Sequence, residues 1–291
     1  MSESSWRFAL ASVMGSSHRR GGTSCQDASA CEIVERADAS FVVASVSDGA
    51  GSARLSGIGS RLAVETVSAE ARAVLEHEGG PETLERDFAL RVLARLRARV
   101  QRLARRGVLR ERDFACTLLA AIVGPDSAVF FQVGDGAIVT ATPQGGRPFE
   151  WVFWPQRGEY ANETWFATDP AAEQALLFER VEGPVHELAL LSDGLQALVL
   201  DQRARAAHTA FFGPMFATVR RAPPGYSDEL SGSLARYLSS PTVQRRTDDD
   251  TSLILVTRRA SEPAPALPSA PAASAAPAPN DTLAHHEQEA G

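Results

Sequence analysis

Aspartates recur in this chain at places where short apolar runs stop. The run Phe41-Val42-Val43-Ala44-Ser45-Val46 ends at Ser47-Asp48-Gly49, Ala128 to Val133 ends at Gly134-Asp135-Gly136, and Val185 to Leu191 ends at Ser192-Asp193-Gly194. A further group, Asp248-Asp249-Asp250, stands just before Leu253 to Thr257, and Asp27 stands between a glycine-bearing loop and another apolar run. These runs have the length and the β-branched or aromatic content of buried strands. A carboxylate at the end of a rigid strand is held in place, and a following glycine lets a ligand approach the backbone. A single Asp-Gly is an ordinary turn. Its recurrence is what calls for chemistry.

If these strands share one core, their ends gather the carboxylates at one edge, where uncompensated like charges repel strongly. Cations relieve that repulsion. Carboxylate, carbonyl and water ligands suit Mg²⁺ or Mn²⁺, and the sequence offers no HExxH helix or CxxC pair for zinc. Two such ions, about 3.5–4 Å apart, can activate a water and clamp a phosphoryl oxygen. The residues therefore point to metal-assisted phosphate chemistry, without choosing its substrate.

The elements that must position these groups follow from the apolar pattern. Trp6 to Val13 reads as a first strand, Gly15 to Ser24 as a polar loop, and Ser29 to Val34 as a second strand. A helix begins near Leu55. Another starts at Pro81, with Leu84, Phe88, Val92, Leu96, Val100 and Leu103 recurring about every four residues and Arg86, Arg91, Arg95, Arg99, Arg102 and Arg106 on its other face. Phe114 to Gly124, Ala128 to Val133 and Ala137 to Ala141 read as strands, and Thr142 to Pro170 as an excursion or flap carrying Trp151, Trp154 and Trp165. Helices around Arg203 to Arg220 and Asp228 to Leu238 precede the last strand.

Composition sets the class. The 291 residues, 44% hydrophobic and 22% charged, suit a globular protein able to bury a full core. A net charge of -7 argues against nucleic acid or an anionic membrane as the main partner. Every basic side chain of the Lys/Arg type is Arg, which excludes a P-loop. Cys25, Cys31 and Cys116 are too few and too irregular for a disulfide framework, and no Arg stands six positions after any of them, which excludes a Cys-x5-Arg thiol phosphatase. With no leader-like start and no span-length apolar stretch, the expected compartment is the cytoplasm. Residues 260–291 are rich in Ala, Pro and Ser and predict a disordered tail or linker after a catalytic domain of residues 1–259. His285 and His286 in that tail read as solvated side chains.

The ordered set Cys25-Gln26-Asp27-Ala28, Ser47-Asp48-Gly49-Ala50-Gly51, Gly134-Asp135-Gly136, Ser192-Asp193-Gly194-Leu195 and Asp248-Asp249-Asp250-Thr251 resembles the metal-dependent protein phosphatases of the 2C (PPM) type, in their bacterial form. The likeness runs from about Trp6 to Thr257. It implies an α+β fold, a four-layer α-β-β-α sandwich with two central antiparallel β-sheets flanked by helices. It implies that Asp48 bridges two Mn²⁺ or Mg²⁺ ions with the Gly49 carbonyl on one, that Asp193 and Asp248 hold one ion, and that Asp27 supports the other. Asp135 matches a position associated with a weaker third metal. The resemblance further implies a phosphoprotein substrate carrying phosphoserine or phosphothreonine and a metal-bridging water as nucleophile. A cognate Ser/Thr kinase as partner and a monomeric state are expected beside it, though the sequence names neither the substrate nor the kinase.

Two departures from the family pattern bear on mechanism. Gln26 stands where many members have Glu, and Ala50 stands where eukaryotic members often have His. The missing His leaves His18 or a metal-bound water as the candidate general acid. Arg19 and Arg20 are candidates for gripping the substrate phosphate bidentately. In the acidic triplet, strand alternation leaves either Asp249, or Asp248 with Asp250, facing the site. Anchoring the family's closing motif on Thr251 selects Asp248 as ligand, makes Asp249 a supporting residue and leaves Asp250 in the variable position. The competing expectation is a catalytically silent module that binds a phosphoprotein or regulatory partner through the same fold.

Overall fold

The computed structural model describes residues 4–77, 79–142, 147–155 and 164–260. Strand β1 (Ser4–Val13) leads into α1 (Ser16–Gly21), a short helix where the sequence predicts a loop. None of its residues is buried, so no apolar period marks it. Strands β2 (Ala28–Glu35) and β3 (Ser40–Ser47) pair antiparallel, and helices α2 (Ser56–Leu75) and α3 (Arg86–Gly107) follow. In α3 the expected stripe of Phe88, Val92, Leu96 and Val100 is buried, while Leu103 remains exposed. Its arginine face is tied to neighbouring elements: Arg99 bonds Glu65 Oε2 at 2.6 Å, and Arg86 bonds the Leu176 carbonyl at 2.8 Å.

Strands β4 (Leu118–Val123), β5 (Ser127–Val133) and β6 (Ala137–Ala141) come next, then the short β7 (Glu150–Trp151) and α4 (Ala172–Ala175). Strand β8 (Leu177–Glu182) is an edge strand that the sequence reading did not find. Strand β9 (Glu187–Leu191), α5 (Gln196–Val199), and the small hairpin of β10 (Leu200–Asp201) and β11 (Ala206–Ala207) lead to α6 (Thr209–Val219). The described part closes with β12 (Gly225–Tyr226), α7 (Asp228–Leu238), α8 (Pro241–Gln244) and β13 (Thr251–Ala260).

Two sheets carry the fold. One has the order β12-β1-β13-β9-β6-β7 and the other β2-β3-β4-β5-β8. All their pairings are antiparallel except that of β1 with β12. The sheets face each other across a core of Trp6, Phe8, Val42, Val46, Phe130 and Ile254. Helices α2 and α3 cover the outer face of the five-stranded sheet through Val67, Phe88, Leu93 and Phe131. Helices α6 and α7 cover the six-stranded sheet through Phe212, Phe216, Leu234 and Leu255. This is the expected four-layer sandwich, and each buried Phe or Leu in it contributes about 1.5–3 kcal/mol relative to exposure. The C-terminal end of β9 and the N-terminal ends of β6 and β13 lie at the same edge of one sheet, because β9 runs antiparallel to both. That edge is where the aspartates gather. The Ala/Pro-rich tail and its histidines lie outside the described residues.

Candidate metal centre

Asp48, Asp135 and Asp193 converge: one carboxylate oxygen from each lies within 4.8 Å of the others. Among the described residues no other set of three His, Cys, Asp or Glu side chains comes this close. Asp48 follows β3, and its backbone is locked to Thr117, the residue before β4. Its N–H donates to Thr117 Oγ1 at 2.9 Å, and its carbonyl accepts from Thr117 N–H at 2.8 Å. Asp135 sits in the β5–β6 turn, where its Oδ2 accepts from Thr164 Oγ1 at 2.8 Å and its carbonyl accepts from Gln196 Nε2. Thr164, a described residue of the expected excursion, thus lies at the acidic edge, while residues 143–146 and 156–163 of that excursion lie outside the described residues. Asp193 opens the turn after β9.

Asp27 lies beside this trio, at the start of β2. Both its carboxylate oxygens are buried without a hydrogen-bond partner. A buried carboxylate with no donor is costly unless it is protonated or meets a cation. The acidities agree. Burial, opposed by the nearby Asp48, Ser192 and Ser252 side chains, leaves Asp27 raised to about 6. Burial, then the charges of Asp135, Asp249 and Asp27, push Asp193 up to about 7. Asp48 is driven well above the ordinary carboxylate range by burial and by the charges of Asp27 and Asp193. Asp135 is raised by burial. These oxygen donors, crowded and starved of positive charge, fit divalent cations.

The acidic triplet divides differently from the sequence expectation. Asp248, expected as a ligand, is not one of the converging trio: its side chain is 71% exposed and stands 3.5 Å from Arg20. Asp249 is the member whose charge bears on Asp48, Asp135 and Asp193. Asp250, expected in the variable position, is buried. Its Oδ1 accepts from Gly15 N–H at 2.7 Å and its Oδ2 from Gln26 N–H at 2.6 Å. The physical reason is that β13 begins only at Thr251, so residues 247–250 form a bend to which strand alternation does not apply. Glycines fix that bend. A Cβ on Gly15 would collide with the Asp248–Asp249 backbone, and one on Gly194 with the Asp250 carbonyl oxygen.

The remaining expected residues take local partners. His18 Nδ1 stands 2.8 Å from Asp250 Oδ1, beside the buried carboxylate. Arg19 donates to the Met14 carbonyl at 2.8 Å and to Gln244 Oε1 at 2.6 Å, and Arg20 to Ser16 Oγ at 3.3 Å. Neither guanidinium is brought to the trio. Gly49 lies in an isolated bridge with Cys116, packed under the Gln26 carbonyl. The Cys25 thiol is pushed up to about 12 by burial and by Asp250 and Asp27, which makes it inert as a nucleophile.

The acidities carry a stability consequence. A carboxyl group whose folded pKa is raised stabilises the fold below its unfolded value of 3.8 and loses that contribution as pH rises through its folded value. For Asp27 and Asp193 the loss falls at about 6 and about 7. The metal-free protein should therefore melt at lower temperature at pH 8 than at pH 5, and Mn²⁺ should recover the difference at pH 8. Thermal melts in EDTA and in MnCl₂ across this range check it; a metal-free melting curve flat in pH would contradict the crowding.

Comparison with known proteins accords with this geometry. Solved structures share the fold: "Crystal structure of bacterial serine phosphatase" matches with a TM-score of 0.58 at 15% identity, over 88% of this chain and 98% of that one. "PppA, a key regulatory component of T6SS in Pseudomonas aeruginosa" matches with a TM-score of 0.58 at 18% identity, over 88% of this chain and 100% of that one. In sequence, the family described as Protein phosphatase 2C matches residues 14–239. Serine/threonine-protein phosphatase 3 of Escherichia coli (strain K12) is 37% identical over 254 residues, covering 86% of this chain and 98% of that protein. The chain belongs to the protein phosphatase 2C family and is a protein phosphatase.

Proposed function

We propose that the protein hydrolyses phosphoserine and phosphothreonine in proteins, using two divalent cations, Mn²⁺ or Mg²⁺, held at the acidic edge. The observation that carries this is the convergence of Asp48, Asp135 and Asp193 beside Asp27, whose buried oxygens have no donor. In this reading Asp48 would be a ligand to both cations, Asp193 and Asp249 would hold one, Asp27 and the Gly49 carbonyl would support the other, and Asp135 would serve a third. Bound there, the cations supply Lewis-acid charge for a phosphoryl oxygen and a water activated at neutral pH. The chain's own contribution is to hold these oxygens in place before substrate arrives. Asp250 fixes the Gly15 and Gln26 backbones, and with them the start of α1 and the approach to Asp27. His18, held against Asp250, is then a residue that positions this loop rather than the acid for the leaving alkoxide.

The 37% identity to a Ser/Thr-protein phosphatase supports a phosphoprotein substrate, and by extension a kinase that supplies it. Three unpaired cysteines suit a reducing, cytoplasmic setting. A silent binding module has no use for so costly an acidic cluster. Hydrolysis of p-nitrophenyl phosphate and of a phosphoserine peptide, each with Mn²⁺ and with EDTA, tests the reading; turnover of both that is indifferent to EDTA would remove the metals from it. We assign residues 4–260 to the catalytic unit. Truncation after Ala260 should leave melting temperature and kcat nearly unchanged, and a marked loss in either would place the boundary further on.

A further inference from the structure

A trench runs from the acidic edge along the open side of the sandwich. Two cavities, of about 430 Å³ and about 990 Å³, share Leu10, Val64 and Glu65 in their linings. The smaller reaches Asp27, and the larger continues to Tyr226. The floor is β2. Consecutive residues Ala30, Cys31, Glu32 and Ile33 all line the larger cavity, and Ser29 to Ile33 are all half-buried. Side chains of a strand alternate between faces, so a cavity touched by every residue in turn runs along the strand's edge. That edge is unpaired: β2 is the outermost strand of its sheet and pairs only with β3. Alternate N–H and C=O groups of β2 therefore face the trench.

The walls are of matching character. One side of α2 supplies Val64, Ser68 and Arg72, and the inward face of β1 supplies Phe8 and Leu10. The Arg72 guanidinium is already paired with Glu32, and Glu65 with Arg99, so each charged side chain named here has a partner. At the far end Tyr226 is 52% exposed, with its ring 5.4 Å from that of Phe8. From Asp27 to Ile33 the strand spans about 20 Å at roughly 3.3 Å per residue.

We infer that this trench binds the extended segment of the phosphoprotein substrate that precedes its phosphorylated residue, as a strand added antiparallel to β2. The inference rests on the phosphatase reading above. Continuity with Asp27 puts one end of any such strand at the acidic edge, and the unpaired β2 backbone supplies hydrogen bonds independent of sequence. Pockets between β1 and α2 then favour apolar side chains at alternate positions. Antiparallel addition continues the pattern of the sheet, whose other pairings are all antiparallel. It runs the substrate from the Ile33 end toward Asp27, so the docked residues lie N-terminal to the phosphate.

The test compares p-nitrophenyl phosphate, the short peptide Ala-phosphoSer-Ala, and two long peptides with alternating Val and Thr before or after the phosphoserine. On the full chain with Mn²⁺, the peptide extended before the phosphoserine should show a KM about tenfold below the short one at similar kcat, the signature of binding energy shared by ground and transition state. Ala69→Trp, which fills the trench from α2, and Tyr226→Ala should each raise that KM toward the short-peptide value and leave p-nitrophenyl phosphate kinetics unchanged. Equal KM values for the short and long peptides, or a gain confined to the peptide extended after the phosphoserine, would overturn the inference. Absence of all p-nitrophenyl phosphate turnover in the unmodified protein would instead strike the phosphatase reading itself.

Discussion

Asp48→Asn should lower kcat at saturating Mn²⁺ by at least about a thousandfold, equivalent to about 4 kcal/mol of barrier. The amide keeps the shape of the side chain but removes the charge at the point where the three carboxylates converge, so every cation held there loses a ligand of the right kind. The same change should raise the melting temperature of the metal-free protein at pH 8. Burial and the charges of Asp27 and Asp193 are what disfavour the ionised Asp48, and a neutral amide escapes both. Loss of activity together with gain of metal-free stability separates a site residue from a structural one. Near-normal Mn²⁺-dependent turnover in this variant would sink the proposal that Asp48 is the shared ligand.

The second large effect lies in the acidic triplet, where the three side chains should behave in three different ways. Asp249→Ala should reduce kcat by orders of magnitude with little change in melting temperature, because its charge acts on the trio and its side chain is exposed. Asp250→Ala should instead unfold the protein more readily, by about 3 kcal/mol. It strands the Gly15 and Gln26 N–H groups, and a buried donor left unpaired costs about 1–3 kcal/mol. Asp248→Ala should be nearly silent in both measurements, since an exposed pair such as Asp248 with Arg20 contributes little. Urea melts and kcat for the three variants decide the register. If Asp248→Ala is the inactive one, with Asp249→Ala close to normal, the bend before β13 holds its cation through the other residue.

The contrast between these residues shows what the sequence could and could not convey. Asp48, Asp135 and Asp193 were legible because each ends an apolar run, and a buried strand leaves its terminal residue little choice of direction. Asp248, Asp249 and Asp250 were not, because the bend that carries them is shaped by Gly15 and Gly194, which are remote in sequence and forced against it by the fold. The sandwich itself was implied by the family resemblance that the ordered motifs carry, and apolar patterning marked most of its strands. Strand β8 escaped notice because its residues Leu177 to Glu182 include no fully buried side chain to write an alternating pattern. Helix α1 escaped for the same reason. The hydroxyl contact of Ser12 with Ser252 at 2.6 Å, which ties β1 to β13 beside Asp27, has no local signature at all.

The place of β13 bears on how the protein folds. The last described strand lies in the middle of its sheet, between β1 and β9. The six-stranded sheet is therefore incomplete until residues 251–260 join it, and with them comes the bend bearing Asp249 and Asp250. Folding must close a contact between residues 12 and 252, the kind of long-range pairing that makes β-rich domains slow to fold.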